Sequence, residues 1–314
     1  MIVTLTVNPS LDRTIVLPAP LRPGEVQQAL RQREDAGGKG INVARVVAAA
    51  GAETLAVLPL ADGDPFGSAL RASGVPARTV PIDGAARANI AITDPSGQTT
   101  KLNLVGAALA DADARAIVDA TVEATAGARW LVLAGSLPPG VGDDFYVDVI
   151  RAVRSAHGDG SPRIAVDTSG PALHAVVASG HPDLIKPNDE ELAELASVAL
   201  PDGDLAATVV DVARTIVPAR VRSALVTLGS AGAAYIDADG AWAAAAPRVR
   251  VQSTVGAGDS SLAGFLLAES AGADASDALA GAIRYGSAAA SLPGTQVPTP
   301  ADLGDDDIPT TRIP

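Results

Sequence analysis

The sequence predicts an α/β protein with a mostly parallel central sheet that is covered by helices on both faces. Two observations support this fold class. Apolar runs of strand length, such as 2–7 and 130–135, alternate along the chain with segments of helix length. These runs are almost continuously apolar, which is typical of parallel strands buried on both faces. Hydrophobic residues make up 47 % of the 314 residues and charged residues 19 %, which favours a packed core over disorder.

The predicted elements alternate in chain order. Strands are expected at 2–7, 54–60, 130–135, 164–167, 184–186 and 224–229. Helices are expected at 41–50, 66–73, 145–157, 190–199 and 261–271. Glycine follows the first two helices at Gly51 and Gly74, where a helix commonly stops.

Two stretches, 11–35 and 76–105, break this alternation. The second contains two strand-like runs around the turn Asp94-Pro95-Ser96-Gly97, a pattern that predicts a β-hairpin. We expect both stretches to form a small sheet beside the α/β body, within one domain spanning 1–314. The tail 302–314 carries three consecutive Asp and two Pro, so loose order is expected there.

Composition argues against several classes of function. The formal net charge of -13 disfavours nucleic acid and anionic membranes as partners. The sequence contains no cysteine, which excludes disulfides, thiol nucleophiles and cysteine metal sites. It contains three His and no HExxH pair, which argues against a histidine metal site. The run 2–7 is too short for a signal peptide, and no apolar stretch approaches the roughly 20 residues of a spanning helix. A cytoplasmic location is expected.

The strongest chemical motif is Thr254-Val255-Gly256-Ala257-Gly258-Asp259-Ser260, which precedes an apolar helix. Gly256 and Gly258 permit a tight turn and a close approach to a ligand, and free amides at a helix start favour an anion. Asp259 falls in the first turn, where it could simply cap the helix. Alternatively, an anion cradle beside a carboxylate is what phosphoryl transfer needs, because the carboxylate can accept the hydroxyl proton.

Two further motifs open helices. Three glycines surround Lys39 in the segment 36–40, which suits a sugar phosphate or a polyol and is not a Walker A loop. A plain turn and cap explains this segment equally well. The other motif, Lys-Pro-Asn-Asp-Glu-Glu, begins at Lys186, at the end of a predicted strand. Asn188 could cap the helix that follows. Alternatively, Asn188 and the carboxylates after it could hold a hydrated Mg²⁺.

Together and in this order, the motifs resemble the PfkB/ribokinase family of carbohydrate kinases. The matching segments are N-P-S-L-D near the start, A-G-G-K-G-I-N-V-A-R, G-S-L-P-P-G, D-T-S-G, K-P-N-D-E-E-L and S-T-V-G-A-G-D-S. The resemblance runs from Thr4 to about Leu303. It implies a ribokinase-like fold, ATP and Mg²⁺ as cofactors, and a lid formed by the small sheet. In many members this lid also pairs two subunits, so a homodimer through the lid sheets is expected.

The resemblance also implies a role for each matching residue. Asp259 would be the catalytic base, and the anion hole for the transferred phosphoryl group would consist of Gly256, Ala257 and Gly258. Glu191, of the family's N-x-x-E motif, would act on Mg²⁺ through water. The ATP side would be lined by Lys186, Asn188, Thr227, Gly229, Gly232 and Gly258. The sugar side would be lined by Asp12, Gly38, Lys39, Asn42, Asn103 and Ser136, with Arg87 reaching from the lid to the substrate phosphate.

Within the family, the chain is most similar to the phosphosugar branch. The segment 292–303 matches the pattern of 1-phosphofructokinases, and Lys39 matches the pattern that 1-phosphofructokinases share with tagatose kinases. ATP-dependent conversion of fructose 1-phosphate to fructose 1,6-bisphosphate is therefore expected. Tagatose-6-phosphate kinase and PfkB-type 6-phosphofructokinase are alternatives, since Lys101 stands where the family pattern has Glu. A kinase of nucleosides or unphosphorylated sugars would leave the cations Lys39 and Arg87 idle. A non-catalytic sugar-phosphate sensor would not need Asp259.

Overall fold

A computed structural model describes residues 1–200, 204–304 and 307–314. In chain order its strands are β1 (Ile2–Leu5), β2 (Ser10–Val16), β3 (Arg31–Gly37), β4 (Thr54–Leu60), β5 (Ala77–Pro81), β6 (Arg87–Thr93), β7 (Thr99–Asn103), β8 (Trp130–Ala134), β9 (Arg163–Asp167), β10 (Leu184–Ile185), β11 (Ala224–Thr227), β12 (Ala233–Ile236), β13 (Ala241–Ala244) and β14 (Thr310–Ile313). Its helices are α1 (Lys39–Ala49), α2 (Pro65–Ala72), α3 (Asp111–Ala124), α4 (Phe145–His157), α5 (Gly170–Ser179), α6 (Asp189–Ala196), α7 (Leu205–Ala213), α8 (Ala257–Ser270) and α9 (Ala275–Ala290).

The larger sheet has, among the described residues, ten strands in the order β14-β13-β12-β11-β10-β9-β8-β1-β4-β5. The strands from β11 to β5 are parallel, and β12, β13 and β14 continue the sheet in antiparallel fashion. The carboxyl ends of the parallel strands therefore meet at one edge, where open α/β sheets bind their ligands.

Helices cover both faces of this sheet, as the apolar strands predict. Successive side chains of β8 point to opposite faces: Leu131 packs in the core beneath α3 to α7, whereas Trp130 and Val132 pack in the core beneath α1, α8 and α9. This alternation explains why the strand must be apolar at every position, because neither face is exposed to water.

The smaller sheet has four strands in the order β3-β2-β6-β7. Leu11 and Ala36 lie on one of its faces and pack with α1 and α2. The register places Asp12 between Asp35 and Asn89, so these side chains share the opposite, polar face. The small sheet predicted from the broken alternation is therefore present.

Some expected boundaries were wrong. The stretch 76–105 does not belong wholly to the small sheet, because β5 pairs with β4 in the large sheet and buries Val80. In the tail, β14 pairs with β13 and Ile308 is buried, so the described residues 307–314 are not loosely ordered. The tail residues 305–306 lie outside the described residues. Across the described ranges, no helix is long and apolar enough to cross a membrane.

Candidate active site

Polar residues from several parts of the chain, most of them singled out by the sequence, converge on the carboxyl edge of the large sheet. Asp167 ends β9, Lys186 directly follows β10, and Thr227 ends β11. The amino-terminal ends of α1 and α8 lie at the same place, because Lys39 in the first turn of α1 contacts Asp167, and Asn42 of α1 donates to Asp259 in the first turn of α8. Parallel strands and the crossovers between them thus gather residues that lie far apart in sequence.

The centre of the group is a single carboxylate between two ammonium groups. Asp167 is fully buried; its Oδ1 lies 2.6 Å from Lys39 Nζ and its Oδ2 lies 3.3 Å from Lys186 Nζ. Burial alone would raise the pKa of Asp167, but Lys186 and Lys39 outweigh it and hold that pKa below its ordinary value. Burial likewise opposes the charge of Lys39, whose pKa is nevertheless raised by Asp167 and Asp259. Asp167 and Lys39 therefore remain charged at neutral pH.

Asp259 lies in the first turn of α8 and is only 7 % exposed. Its Oδ2 accepts a hydrogen bond of 2.8 Å from Asn42 Nδ2, so α1 and α8 orient the carboxylate together. Burial raises the pKa of Asp259 to about 6, and the nearby charge of Asp167 adds to this, while Lys39, Asn42 and Lys186 oppose it. A carboxylate with this pKa is ionised at neutral pH yet accepts a proton readily.

The start of α8 forms an anion-binding surface beside this carboxylate. Gly256 adopts φ 76°, a left-handed conformation that suits glycine, and turns the chain into the helix through Ala257 and Gly258. A side chain at Gly258 would begin 3.4 Å from Lys186 Nζ, so the ammonium group lies directly over the first turn of the helix. The amides that open the helix, the helix dipole and an ammonium group would all attract a phosphoryl group here.

The N-x-x-E segment forms a reciprocal helix cap. Asn188 Oδ1 accepts from the Glu191 amide at 2.7 Å, and Glu191 Oε2 accepts from the Asn188 amide at 2.9 Å. The capping interpretation is therefore correct, but Glu191 keeps its second oxygen, Oε1, free of this cap. The Thr227 amide donates to the Pro187 carbonyl at 3.1 Å, which ties this segment to the end of β11.

Gly229 and Gly232 lie in the turn between β11 and β12. A Cβ atom on Gly232 would lie 2.0 Å from the carbonyl oxygen of Ala244, and its φ is 113°. Close packing thus explains Gly232 without a ligand, whereas nothing lies within 4 Å of a side chain placed at Gly229. The space beside Gly229 is consistent with its expected position on the nucleotide side.

The small sheet contributes a second polar group. Asp12 Oδ1 accepts from Ser10 Oγ at 2.7 Å and from Asn89 Nδ2 at 3.0 Å. Burial raises the pKa of Asp12, while these hydrogen bonds and the charge of Arg87 oppose the rise. Burial lowers the pKa of Arg87, whose Nε–H has no hydrogen-bond acceptor among the described residues. Asn103 lies opposite Asn89 on β7 and is exposed.

Two other expected sugar-side residues flank the edge. Gly38 immediately precedes α1, with φ 115°. Ser136 follows β8, and its Oγ accepts a hydrogen bond from Asn8 Nδ2 at 3.3 Å.

Within the described part of the chain, no three His, Cys, Asp or Glu side chains form a potential metal cage.

Sequence reasoning missed Asp167 and Asn89 as members of the site. Asp167 is the first residue of the quoted D-T-S-G segment, and an Asp ending an apolar strand was the available signal, because such a charge needs a partner when buried. Asn89 carried no signal of its own. Only the parallel pairing of β2 with β6 places it beside Asp12.

Comparison with known proteins shows the family of the chain. The model of the pfkB family of carbohydrate kinases matches residues 6–302. The 1-phosphofructokinase of Rhodobacter capsulatus is 33 % identical over 306 residues, 96 % of this chain and 94 % of that protein. The ATP-dependent 6-phosphofructokinase isozyme 2 of Escherichia coli is 34 % identical over 300 residues, 94 % of each chain.

Solved structures agree as well. Phosphofructokinase-2 from Escherichia coli, in complex with potassium, superposes with a TM-score of 0.87 at 31 % identity over 96 % of each chain. The ribokinase of Arabidopsis thaliana, at 22 % identity and a TM-score of 0.71, covers 97 % of this chain and 95 % of its own, and shows that the fold is ribokinase-like. The chain belongs to the pfkB family of carbohydrate kinases, which are phosphotransferases.

Proposed function

We propose that the protein transfers the γ-phosphoryl group of ATP to the 6-hydroxyl of fructose 1-phosphate. The observation that carries this proposal is the position of Asp259: a buried, hydrogen-bonded carboxylate at the start of α8, next to the amides that open the helix and to the Lys186 ammonium. A proton acceptor and an anion-binding surface are the two groups that phosphoryl transfer to an alcohol needs.

In the proposed reaction, Asp259 accepts the proton of the 6-hydroxyl as the hydroxyl oxygen bonds to the γ-phosphorus. The bond from that phosphorus to the bridging oxygen breaks, and its electron pair leaves with ADP. The amides at Gly256, Ala257 and Gly258, together with the Lys186 ammonium, stabilise the negative charge on the transferred group. Asn42 keeps the Asp259 carboxylate directed at the hydroxyl by its 2.8 Å hydrogen bond.

The residues present fit a magnesium ion held through water. Mg²⁺ prefers oxygen ligands and usually retains several waters, so a complete protein cage is not required. Glu191 Oε1 is free of the helix cap, and Asn188 is tied to the end of β11, where we place the nucleotide with Thr227, Gly229 and Gly232. When bound, Mg²⁺ would neutralise charge on the β- and γ-phosphates of ATP.

The phosphate of the sugar would bind between the small sheet and the sheet edge. Arg87 has a buried Nε–H that finds no acceptor in the described part of the chain, and Lys39 is 37 % exposed despite its bond to Asp167. An arginine fork and an ammonium suit a phosphate dianion. Asp12, Asn103 and Ser136 would accept or donate hydrogen bonds with the sugar hydroxyls, with Gly38 letting the chain approach closely.

We assign fructose 1-phosphate as the acceptor because Lys39 and the segment 292–303 follow the 1-phosphofructokinase pattern. Fructose 6-phosphate is the second candidate, since the relatives include a 6-phosphofructokinase at similar identity and Lys101 departs from the usual lid sequence. Tagatose 6-phosphate is the third.

One set of assays tests the assignment. ADP release from Mg·ATP is measured with fructose 1-phosphate, fructose 6-phosphate, tagatose 6-phosphate, ribose and adenosine. The highest kcat/KM is expected with fructose 1-phosphate. A higher value with another phosphosugar would move the protein to that branch, and phosphosugar binding without any ADP release would identify a sensor.

We also infer that the small sheet is a lid and that two copies of the chain associate through its apolar face. The strand register places Ile15, Ile90, Ile92 and Leu102 on the same face as Leu11, beyond the part of it that packs with α1 and α2. Leu102 is 51 % exposed, and an apolar surface of this kind marks a protein–protein contact. Light scattering should give a dimer for the wild type and a monomer for Ile92→Asp. A wild-type monomer at micromolar concentration would contradict this inference.

A further inference from the structure

Asp167 connects the two halves of the proposed site. Its Oδ1 contacts Lys39, which opens α1 on the sugar side, and its Oδ2 contacts Lys186, which lies over Gly258 on the nucleotide side. The two lysines come from distant parts of the chain, and both ammonium groups lie within 3.3 Å of this single carboxylate.

The carboxylate is well placed to be a fixed support. Asp167 is fully buried at the end of β9, and its carbonyl oxygen accepts a hydrogen bond of 2.9 Å from the Gly135 amide. The next residue, Thr168, donates from Oγ1 to the Gly135 carbonyl at 2.9 Å. A lysine side chain loses about 2 kcal/mol of rotamer freedom when it is held in one position, so it needs such a partner to stay there.

The charges around Asp167 come from several elements. Lys39 of α1 and Lys186 after β10 are positive, whereas Asp259 of α8 and Asp167 itself are negative. Tyr146 of α4 faces Asp167 as a buried neutral phenol, and Glu191 of α6 acts on Lys39 from further away. Removing the charge of Asp167 would leave two lysines facing Asp259 alone.

We propose that Asp167 is a positioning residue that couples the sugar and nucleotide sides of the site by holding Lys39 and Lys186 in place. This proposal rests on the proposed function for the identity of the two sides. If Lys39 is lost, both oxygens of Asp167 become available to Lys186, which is then drawn away from Gly258 and the phosphoryl group. A change on the sugar side therefore reaches the nucleotide side through Asp167.

The first test compares Lys39→Met with Arg87→Ala. Both variants should raise the KM for the phosphosugar. Only Lys39→Met should also raise the KM for ATP, by about fivefold, the effect of weakening one charged contact by about 1 kcal/mol. Arg87 has no bond to Asp167 or Lys186, so its variant should leave the KM for ATP unchanged. A Lys39→Met variant with the wild-type KM for ATP would overturn the proposal.

The second test uses Asp167→Asn, which keeps the shape of the side chain and removes its charge. The KM of both substrates should rise, and the acid limb of the kcat/KM profile should move to lower pH, because Asp259 loses a negative neighbour. The control is Asp183→Asn. Asp183 Oδ2 accepts from the Ile164 amide at 2.9 Å near the opposite end of β9, so this variant loses a structural carboxylate away from the site. An unchanged KM for either substrate in Asp167→Asn, or an equal rise of both KM values in Asp183→Asn, would refute the coupling.

The two hypotheses can fail separately. Turnover by the wild type tests the function, whereas the contrast between variants tests the coupling. Calorimetric titration with Mg·ATP gives the second answer without turnover: Lys39→Met should weaken ATP binding about fivefold and Arg87→Ala should not. If Asp167→Asn does not fold, the comparison of Lys39→Met with Arg87→Ala still tests the coupling. Equal ATP affinity in Lys39→Met and Arg87→Ala would overturn the proposal.

Discussion

Replacing Asp259 by Asn removes the charge of a buried carboxylate and keeps its shape. The Asn oxygen can still accept the hydrogen bond from Asn42 Nδ2, which is 2.8 Å long in the structure, so α1 and α8 should stay together. The proton acceptor is lost, and loss of a general base typically lowers the rate by about 10²- to 10⁴-fold. We therefore expect kcat to fall by this factor, with ATP affinity nearly unchanged.

The same substitution should stabilise the protein above neutral pH. Burial raises the pKa of Asp259 from 3.8 to about 6, so the folded chain holds this proton more tightly than the unfolded chain. Asp259 therefore adds most to the free energy of unfolding below pH 3.8, and this contribution is lost as the pH rises through 6. At about 1.4 kcal/mol per pH unit, the ionised carboxylate costs the fold about 3 kcal/mol at pH 8. Asp259→Asn removes the buried charge and should regain much of this free energy of unfolding at pH 8. The melting temperature at that pH should rise by about 5 °C.

The assay is steady-state ADP release from pH 5 to 9, combined with thermal denaturation at pH 5 and pH 8. The wild-type kcat/KM should fall below about pH 6 as Asp259 takes up a proton. Asp277→Asn is the matched control, because Asp277 is also the third residue of a helix, α9, but is exposed and lies outside the site. It should keep the wild-type kcat. If Asp259→Asn retains kcat within about threefold of wild type, Asp259 is a helix cap and not the base.

Three further predictions concern the metal and the sugar. Glu191→Gln should raise the Mg²⁺ concentration needed for half-maximal rate, because Gln preserves the helix cap but removes the charge. Glu190→Gln is the control, and an equal Mg²⁺ requirement in the two variants would exclude a metal role for Glu191. Arg87→Ala should raise the KM for the phosphosugar by roughly 10- to 150-fold, from the loss of about 1.5–3 kcal/mol, and an unchanged KM would place the phosphate elsewhere. Lys101→Glu, which restores the family pattern, should alter the ratio of kcat/KM between fructose 1-phosphate and fructose 6-phosphate; a constant ratio would remove Lys101 from specificity.

The sequence predicted the elements whose pattern is local. The helix Phe145–His157 and the strand Thr54–Leu60 have the expected bounds, because each has a clear apolar pattern that ends at polar or turn residues. The strand Ala241–Ala244 and the helix Ala275–Ala290 were not predicted. Both are rich in alanine, whose small side chain gives little contrast between a buried and an exposed face.

The site was predictable as a set of motifs but not as a geometry. Asp259 and the glycines before it carry their own signal, since a glycine turn ahead of an apolar helix is a local feature. The bond between Lys39 and Asp167 joins residues 128 positions apart and depends on the order of strands in the sheet. For that reason Lys39 was placed on the sugar side alone, whereas the structure also links it to Lys186 through Asp167.

Identification of the product tests the proposed function most directly. The purified protein is incubated with Mg·ATP and fructose 1-phosphate, and the phosphorus spectrum is followed by NMR. We expect ADP and fructose 1,6-bisphosphate to appear in equal amounts, at a rate that falls by about 10²-fold or more in Asp259→Asn. An unchanged spectrum, with fructose 1-phosphate and ATP both intact, would contradict the assignment of this chain as a fructose 1-phosphate kinase.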